Sequence, residues 1–232
     1  MPSVRLLRFT GLLYLGLAIV GVLGLKVIPG LVISDDAVTT LGNLRALQPV
    51  FRSAIAIELV GQGLFLFVPL ALYRVFRNTN AELAVLMVIL GIISVPIAFV
   101  AVASELGAVW VANASELVAL APPHDLDALA IVLLRLHGEI LLTASLFWGL
   151  WLIPLALLQL RASFVPRLVG VLVMAAACAY VVDALISVVL PAQATALSGL
   201  LSVGEAGELA TILWLLVSRP TSAYRRMFAV EA

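Results

Sequence analysis

Charge, lysine, histidine and cysteine are all scarce in this chain, and each shortage removes a class of function. Only 11% of the 232 residues are charged, against about a quarter in a soluble domain, so there is too little polar surface to wrap a water-facing globule. The 13 basic and 13 acidic residues cancel. That leaves no basic face for a polyanion and excludes nucleic-acid binding. A single cysteine, Cys178, rules out an intrachain disulfide, a CxxC pair and a cysteine-based metal site. It lies in an apolar run and reads as a small core residue. Two histidines, His124 and His137, are too few for a histidine-rich zinc cage. No metal and no cofactor is therefore assigned, and His137 with carboxylates is the one metal arrangement left. Lys26, the only lysine, sits at a membrane edge, which argues against a buried Schiff base. No GxSxG elbow and no phosphate-binding GxxxxGK[ST] occurs.

What is present is apolar: 64% hydrophobic residues and a mean hydropathy of +1.21 describe an integral membrane protein. The chain is organised around Arg135 to Arg161, where a polar His137-Gly138-Glu139 head precedes 21 nearly unbroken apolar residues, Ile140 to Leu160. At 1.5 Å rise per residue these reach ~31 Å, one bilayer crossing. The remaining apolar runs predict helices over Phe9 to Leu25, Ser53 to Tyr73, Leu83 to Ala103, Leu168 to Leu190 and Leu197 to Val217. The third should bend at Pro96 and continue through Glu105 and Trp110 toward Glu116. Asp125 or Asp127 can cap the fourth, which should protrude from the bilayer. In the first loop a serine or aspartate of Ser34-Asp35-Asp36 can cap a short helix carrying Thr40 and Asn43 on the face of Asp36.

The expected fold is thus all-α, an integral bundle of six transmembrane helices in one domain, residues 1–220, with a short cytoplasmic tail, 221–232. Nine arginines (5, 8, 74, 77, 161, 167, 219, 225 and 226) fall on one side, and Lys26, Arg45, Arg52 and Arg135 on the other. The positive-inside rule then places both termini in the cytoplasm and extends helices 3 and 4 on the outer side.

Buried acids are the functional signal. Counting from each helix's outer end puts Glu58, Asp183, Glu205 and Glu208 in one layer ~8 to 16 Å deep. Glu105 and the His137/Glu139 head lie at its rim, and the inner half holds almost nothing ionisable. Carboxylates facing lipid are prohibitively costly, so these should turn inward and share protons, a cation or water. Gln62, at i+4 from Glu58, and Tyr180, one turn before Asp183, join them. His137 and Glu139 are ~200° apart around a regular helix, so only one can face the site. Of Arg52 and Arg135, nearest the outer mouth, at least one is expected to pair with an outer-side acid, Asp36, Glu105, Glu139 or a site carboxylate, and form a lid.

In its order of motifs the chain resembles a bacterial multi-pass family known as domain of unknown function 4386. The carriers are Gly11-Leu-Leu-Tyr14-Leu15, Asp36-Ala-x-x-Thr40-x-x-Asn43 with Phe51-Arg52, Leu136-His137-Gly138, Phe164-x-Pro166-Arg167 with Tyr180-x-x-Asp183, and Gly207-Glu208 before Trp214. The resemblance implies a six-helix inner-membrane protein and assigns no activity. From the residues, the first expectation is a protein among membrane lipids whose outer cavity, lined by Glu58, Gln62, Tyr180, Glu205, Arg52 and Arg135, binds or passes a small cation, a proton or an amphiphile. The second is an intramembrane enzyme in which Glu208 and Asp183 do acid/base work on a lipid or isoprenoid and His137 shuttles the proton. The third is an accessory subunit, with its protein partner unknown.

Overall fold

Where water is absent, a backbone can satisfy its N–H and C=O groups only within its own helix or in a closed sheet. The computed structural model describes residues 2–27, 32, 36–190 and 207–218, and these are helical apart from short connections. The elements are α1 (Val4–Val27), α2 (Ala37–Ala46), α3 (Gln48–Phe76), α4 (Ala81–Asn113), a 3-10 turn (Ser115–Ala119), α5 (Pro123–Arg161), α6 (Arg167–Val189) and α7 (Glu208–Val217). Five of them, α1 and α3 to α6, are long and apolar enough to cross a membrane. At 33 and 39 residues, α4 and α5 run ~50 and ~58 Å, beyond the ~30 Å of hydrocarbon. Of the expected sixth helix only α7 is described. Leu197, Ser198, Ser202 and Glu205 lie outside the described residues, as do Asp35, Arg219, Arg225, Arg226 and the tail.

Three boundaries differ from expectation for local reasons. The second expected helix starts at Gln48, with Pro49 in its first turn where a missing N–H costs nothing. α4 stops at Asn113 and does not run to Glu116. The Asn113 amide bends back to the carbonyls of Val109 (2.8 Å) and Leu44 (3.4 Å), which ends the helix and ties it to α2. α5 opens on Pro123, again the tolerated first position, with Asp125 in the first turn. Pro96 lies inside one unbroken α4, next to a Ser94 hydroxyl that donates to the Gly91 carbonyl at 2.8 Å.

The chain divides into two compact units: Met1–Gly16, Phe65–Ser94 and Ser145–Ala232 form one, Leu17–Leu64 and Val95–Ala144 the other. In both, alanine is the commonest buried residue among those described, while large apolar side chains face outward: Phe9, Leu12, Phe67 and Leu168 are each 58 to 66% exposed. A water-soluble protein would hide those side chains. Lipid solvates them as well as a core would, so association falls to close backbone approach between small residues. The first unit shows it directly. Pro69 lies on Gly91, Tyr180 and Val181 on Gly149, and Leu160 on Gly170. Gly11 likewise admits Leu215 and Leu216 of α7. Trp151, fully buried, meets Phe65 edge-on at 5.4 Å and Tyr14 at 6.0 Å and so acts in packing. Cys178, expected in the core, is on the exposed face of α6.

The second unit is closed by Phe51 and Ile55 of α3, Leu41 and Leu44 of α2 and a small-residue face of α4. Ala98, Ala101, Val102, Glu105, Ala108, Val109 and Ala112 are all buried. Their three- and four-residue spacing makes them one stripe.

The glycines give a test of this packing. A Cβ on Gly149 would lie 2.8 Å from Tyr180 Cβ and 2.9 Å from the Val181 backbone nitrogen, whereas one on Gly138 meets nothing within 4 Å. Gly149→Ala should therefore destabilise the protein by ~1–3 kcal/mol. Gly138→Ala should be neutral or stabilising by up to ~1 kcal/mol. Thermal unfolding of both in the same detergent compares them; equal midpoints would contradict the close α5–α6 packing.

Candidate functional site

Glu105 occupies the middle of the buried α4 stripe and is 0% exposed. Neither of its carboxylate oxygens has a hydrogen-bond partner. One turn earlier, the Ala101 carbonyl lies 3.1 Å from Nδ1 of His137 on α5. A carbonyl can only accept, so that contact places the imidazole proton on Nδ1 and leaves the lone pair on Nε2. Nδ1 is 3.9 Å from Glu105 Oε2, and the His137 side chain is only 12% exposed. Glu58 of α3 completes the cluster: one ligand atom from each of Glu58, Glu105 and His137 lies within 4.8 Å of the other two. Two carboxylates this close in a poorly solvated interior repel each other, so a positive charge between them, a proton or a cation, is strongly favoured.

Of this trio, Glu105, expected at the rim of the acidic layer, is wholly buried on its face of α4. The signal was in the sequence, because the alanines at 98, 101, 108 and 112 share its face. His137 turns inward and Glu139 outward. The exposed Glu139 enters the hydrogen bonding through its backbone carbonyl, which accepts from the Thr143 hydroxyl at 3.1 Å. Gln62, one turn from Glu58, is half-buried.

Arg52 and Arg135 are both exposed, and among the described residues neither makes an ion pair. Arg45 of α2 is the arginine that reaches across: it pairs with Asp127 of α5, and its Nε donates to the Ala112 carbonyl at 3.2 Å. That carbonyl belongs to the last turn of α4, where the helix itself supplies no donor. Sequence distance hid this pairing, since Arg45 and Asp127 are 82 residues apart.

In the first unit, Tyr14 of α1 is buried and donates its hydroxyl to Glu208 at the start of α7. Tyr180 lies within electrostatic range of the same hydroxyl. Asp183, one turn beyond, is half-buried. Nearby in sequence but unforeseen is Gln159, which is fully buried in a half expected to hold little polarity. Its Nε2 donates to Thr211 at 2.8 Å, and its Oε1 has no partner. Glu58 and Gln62 thus belong to one unit, Tyr180, Asp183 and Glu208 to the other.

These positions coincide with the motifs noted in the sequence: Tyr14 bonds Glu208, His137 meets Glu105, and Asp36 caps α2. A family model described as "Domain of unknown function (DUF4386)" matches residues 9–218. The chain belongs to that family. No curated protein and no solved structure matches this DUF4386 chain.

Asp36 in the DUF4386 chain offers a pH test outside the membrane-spanning segments. Its carboxylate accepts from the Thr39 hydroxyl at 2.5 Å and the Thr39 amide at 2.9 Å. These two bonds hold its pKa below the ordinary value of 3.8. The cap's contribution is therefore complete above pH 3.8 and lost as pH falls through the lower folded value. The protection factor of the Thr39 amide, its exchange rate relative to the unstructured chain at the same pH, should hold constant near neutrality and fall only below that range. Asp36→Asn should keep a cap with no acid transition, and Asp36→Ala should remove protection throughout.

Proposed function

We propose that this protein is an integral inner-membrane protein that crosses the bilayer six times with both termini in the cytoplasm. It binds a small cation or a proton at the Glu58–Glu105–His137 cluster. The nine-to-four distribution of basic residues supports the orientation. The observation that carries the binding reading is Glu105, a fully buried carboxylate whose two oxygens lack partners and which faces a histidine and a second carboxylate. A buried charge with no partner costs several kcal/mol. Helix packing does not need it, since alanine or valine serves at every neighbouring position of the stripe.

Removing the charge should therefore help the folded state and abolish binding. Glu105→Gln is expected to raise stability by roughly 1–3 kcal/mol in cation-free buffer. It should also flatten the response of the unfolding midpoint to pH and to added Na+, Mg2+, Ca2+ and Zn2+. Thermal unfolding in detergent or nanodiscs measures both. A variant that kept the full wild-type response would sink the reading.

The hydrogen bond from Tyr14 to Glu208 favours a second reading, acid/base chemistry on a lipid or isoprenoid by Glu208 with Asp183. The phenol would then steady the carboxylate between proton transfers. Product formation from membrane lipids should disappear in Glu208→Gln with folding retained. Unchanged turnover in both Glu208→Gln and Asp183→Asn would remove it.

A further inference from the structure

We infer that the Glu58–Glu105–His137 cluster is a site for a divalent transition-metal ion of the zinc class. Its ligands are one oxygen from each glutamate and the Nε2 of His137, with a fourth position left for water. This deepens the proposed function and rests on its reading of the cluster as a cation site. Three features select the metal. Two carboxylates and a neutral imidazole carry two negative charges, which a divalent ion cancels and a monovalent ion leaves half-compensated in a medium that screens poorly. The ligand set mixes nitrogen with oxygen. Imidazole suits zinc and its neighbours in the d-block, whereas calcium asks for 6–8 oxygens and magnesium for an octahedron of oxygens with several waters. The Ala101 carbonyl at 3.1 Å from Nδ1 is the third feature. An imidazole that ligates through one nitrogen ordinarily donates its other N–H to such an acceptor, which fixes the ring and raises its basicity.

The spacing is compatible. Tetrahedral ligands at 2.0–2.2 Å from zinc lie about 3.3–3.6 Å from one another. The 3.9 Å approach of His137 to Glu105 is made by Nδ1, and one ring nitrogen and one oxygen from each glutamate lie within 4.8 Å of one another. Ligation through Nε2 therefore draws both the imidazole and the half-buried Glu58 in toward Glu105. The unpartnered oxygens of Glu105 gain the contact they lack.

The test uses the full chain, stripped with chelator and exchanged into nanodiscs, and titrated with Zn2+ and with Co2+ as a spectroscopic substitute. One ion per chain should bind. Affinity should exceed that for Mg2+, Ca2+ or Na+ by roughly 100-fold or more, and Co2+ should give visible bands of a four-coordinate site. His137→Gln and Glu105→Gln should each weaken Zn2+ binding by roughly 100-fold. Both keep side-chain size and are checked for folding by size exclusion and unfolding midpoint. His124→Gln should change nothing, because His124 is exposed beside Asp125 and represents adventitious surface binding. Absence of saturable Zn2+ and Co2+ binding, or binding unaffected by His137→Gln and Glu105→Gln, overturns the inference. If Zn2+ does not bind but a proton or Na+ response is present and lost in Glu105→Gln, the metal assignment fails and the cation-site reading stands. If neither response exists, both fail.

Discussion

A polar group inside a bilayer has no water to return to, and this one constraint organises the molecule from its backbone to its site. It makes the described chain helical, because helices satisfy their own amides. It also concentrates attention on helix ends, where four carbonyls and four amides are left over. Here the ends are closed by side chains: Asn113 and the distant Arg45 at the end of α4, and the adjacent Asp36 at the start of α2. None of these contacts is a large energy by itself. Each prevents the greater cost of an orphaned polar group.

The same constraint reverses the usual packing rule. Lipid removes the reward for burying leucine, so many large aliphatic side chains turn outward, and alanine is the commonest residue in an interior that also holds Trp151, Phe51 and several leucines. Close approach then leaves little slack. Where the Gly149 backbone meets Tyr180 and Val181, one methylene is already too much, and a buried polar side chain such as Gln159 reaches Thr211 because the helices are near enough.

Much of the fold was legible in the sequence, for a physical reason. Hydrocarbon thickness sets a length, and runs such as Ile140 to Leu160 match it without reference to any other helix. Proline at a first turn and aspartate at a cap are equally local signals. The site was only partly legible. Glu58 and His137 were found because ionisable residues in apolar surroundings are conspicuous, and the inward turn of His137 over Glu139 follows from helical angle. For Glu105, counting residues along the helix axis gives depth, while burial depends on which face it occupies, and the alanine spacing of α4 carries that information. Sequence shows that Arg52 and Arg135 lie near a mouth but not which acid an arginine reaches, so the pairing of Arg45 with Asp127 has no local signal. Gln159 is neutral, and a pattern of charged residues does not include it.

The spacing within the cluster carries the final step. His137 Nδ1 and Glu105 Oε2, 3.9 Å apart, are too far for a hydrogen bond, which ends near 3.2 Å, and all three ligand atoms fall within 4.8 Å. Two polar atoms separated by ~4–5 Å leave space between them for a single small species. A direct side-chain network would have closed to shorter distances, and simple repulsion would have driven the carboxylates toward the helix exterior. Glu105 does neither: it stays at 0% exposure on a stripe built from alanines. The surroundings determine the sign of what fits between. With the Nδ1–H donated to the Ala101 carbonyl, Nε2 and the carboxylate oxygens are all acceptors. A species complementary to that set, as in the proposed cation site, would bring positive charge or protons.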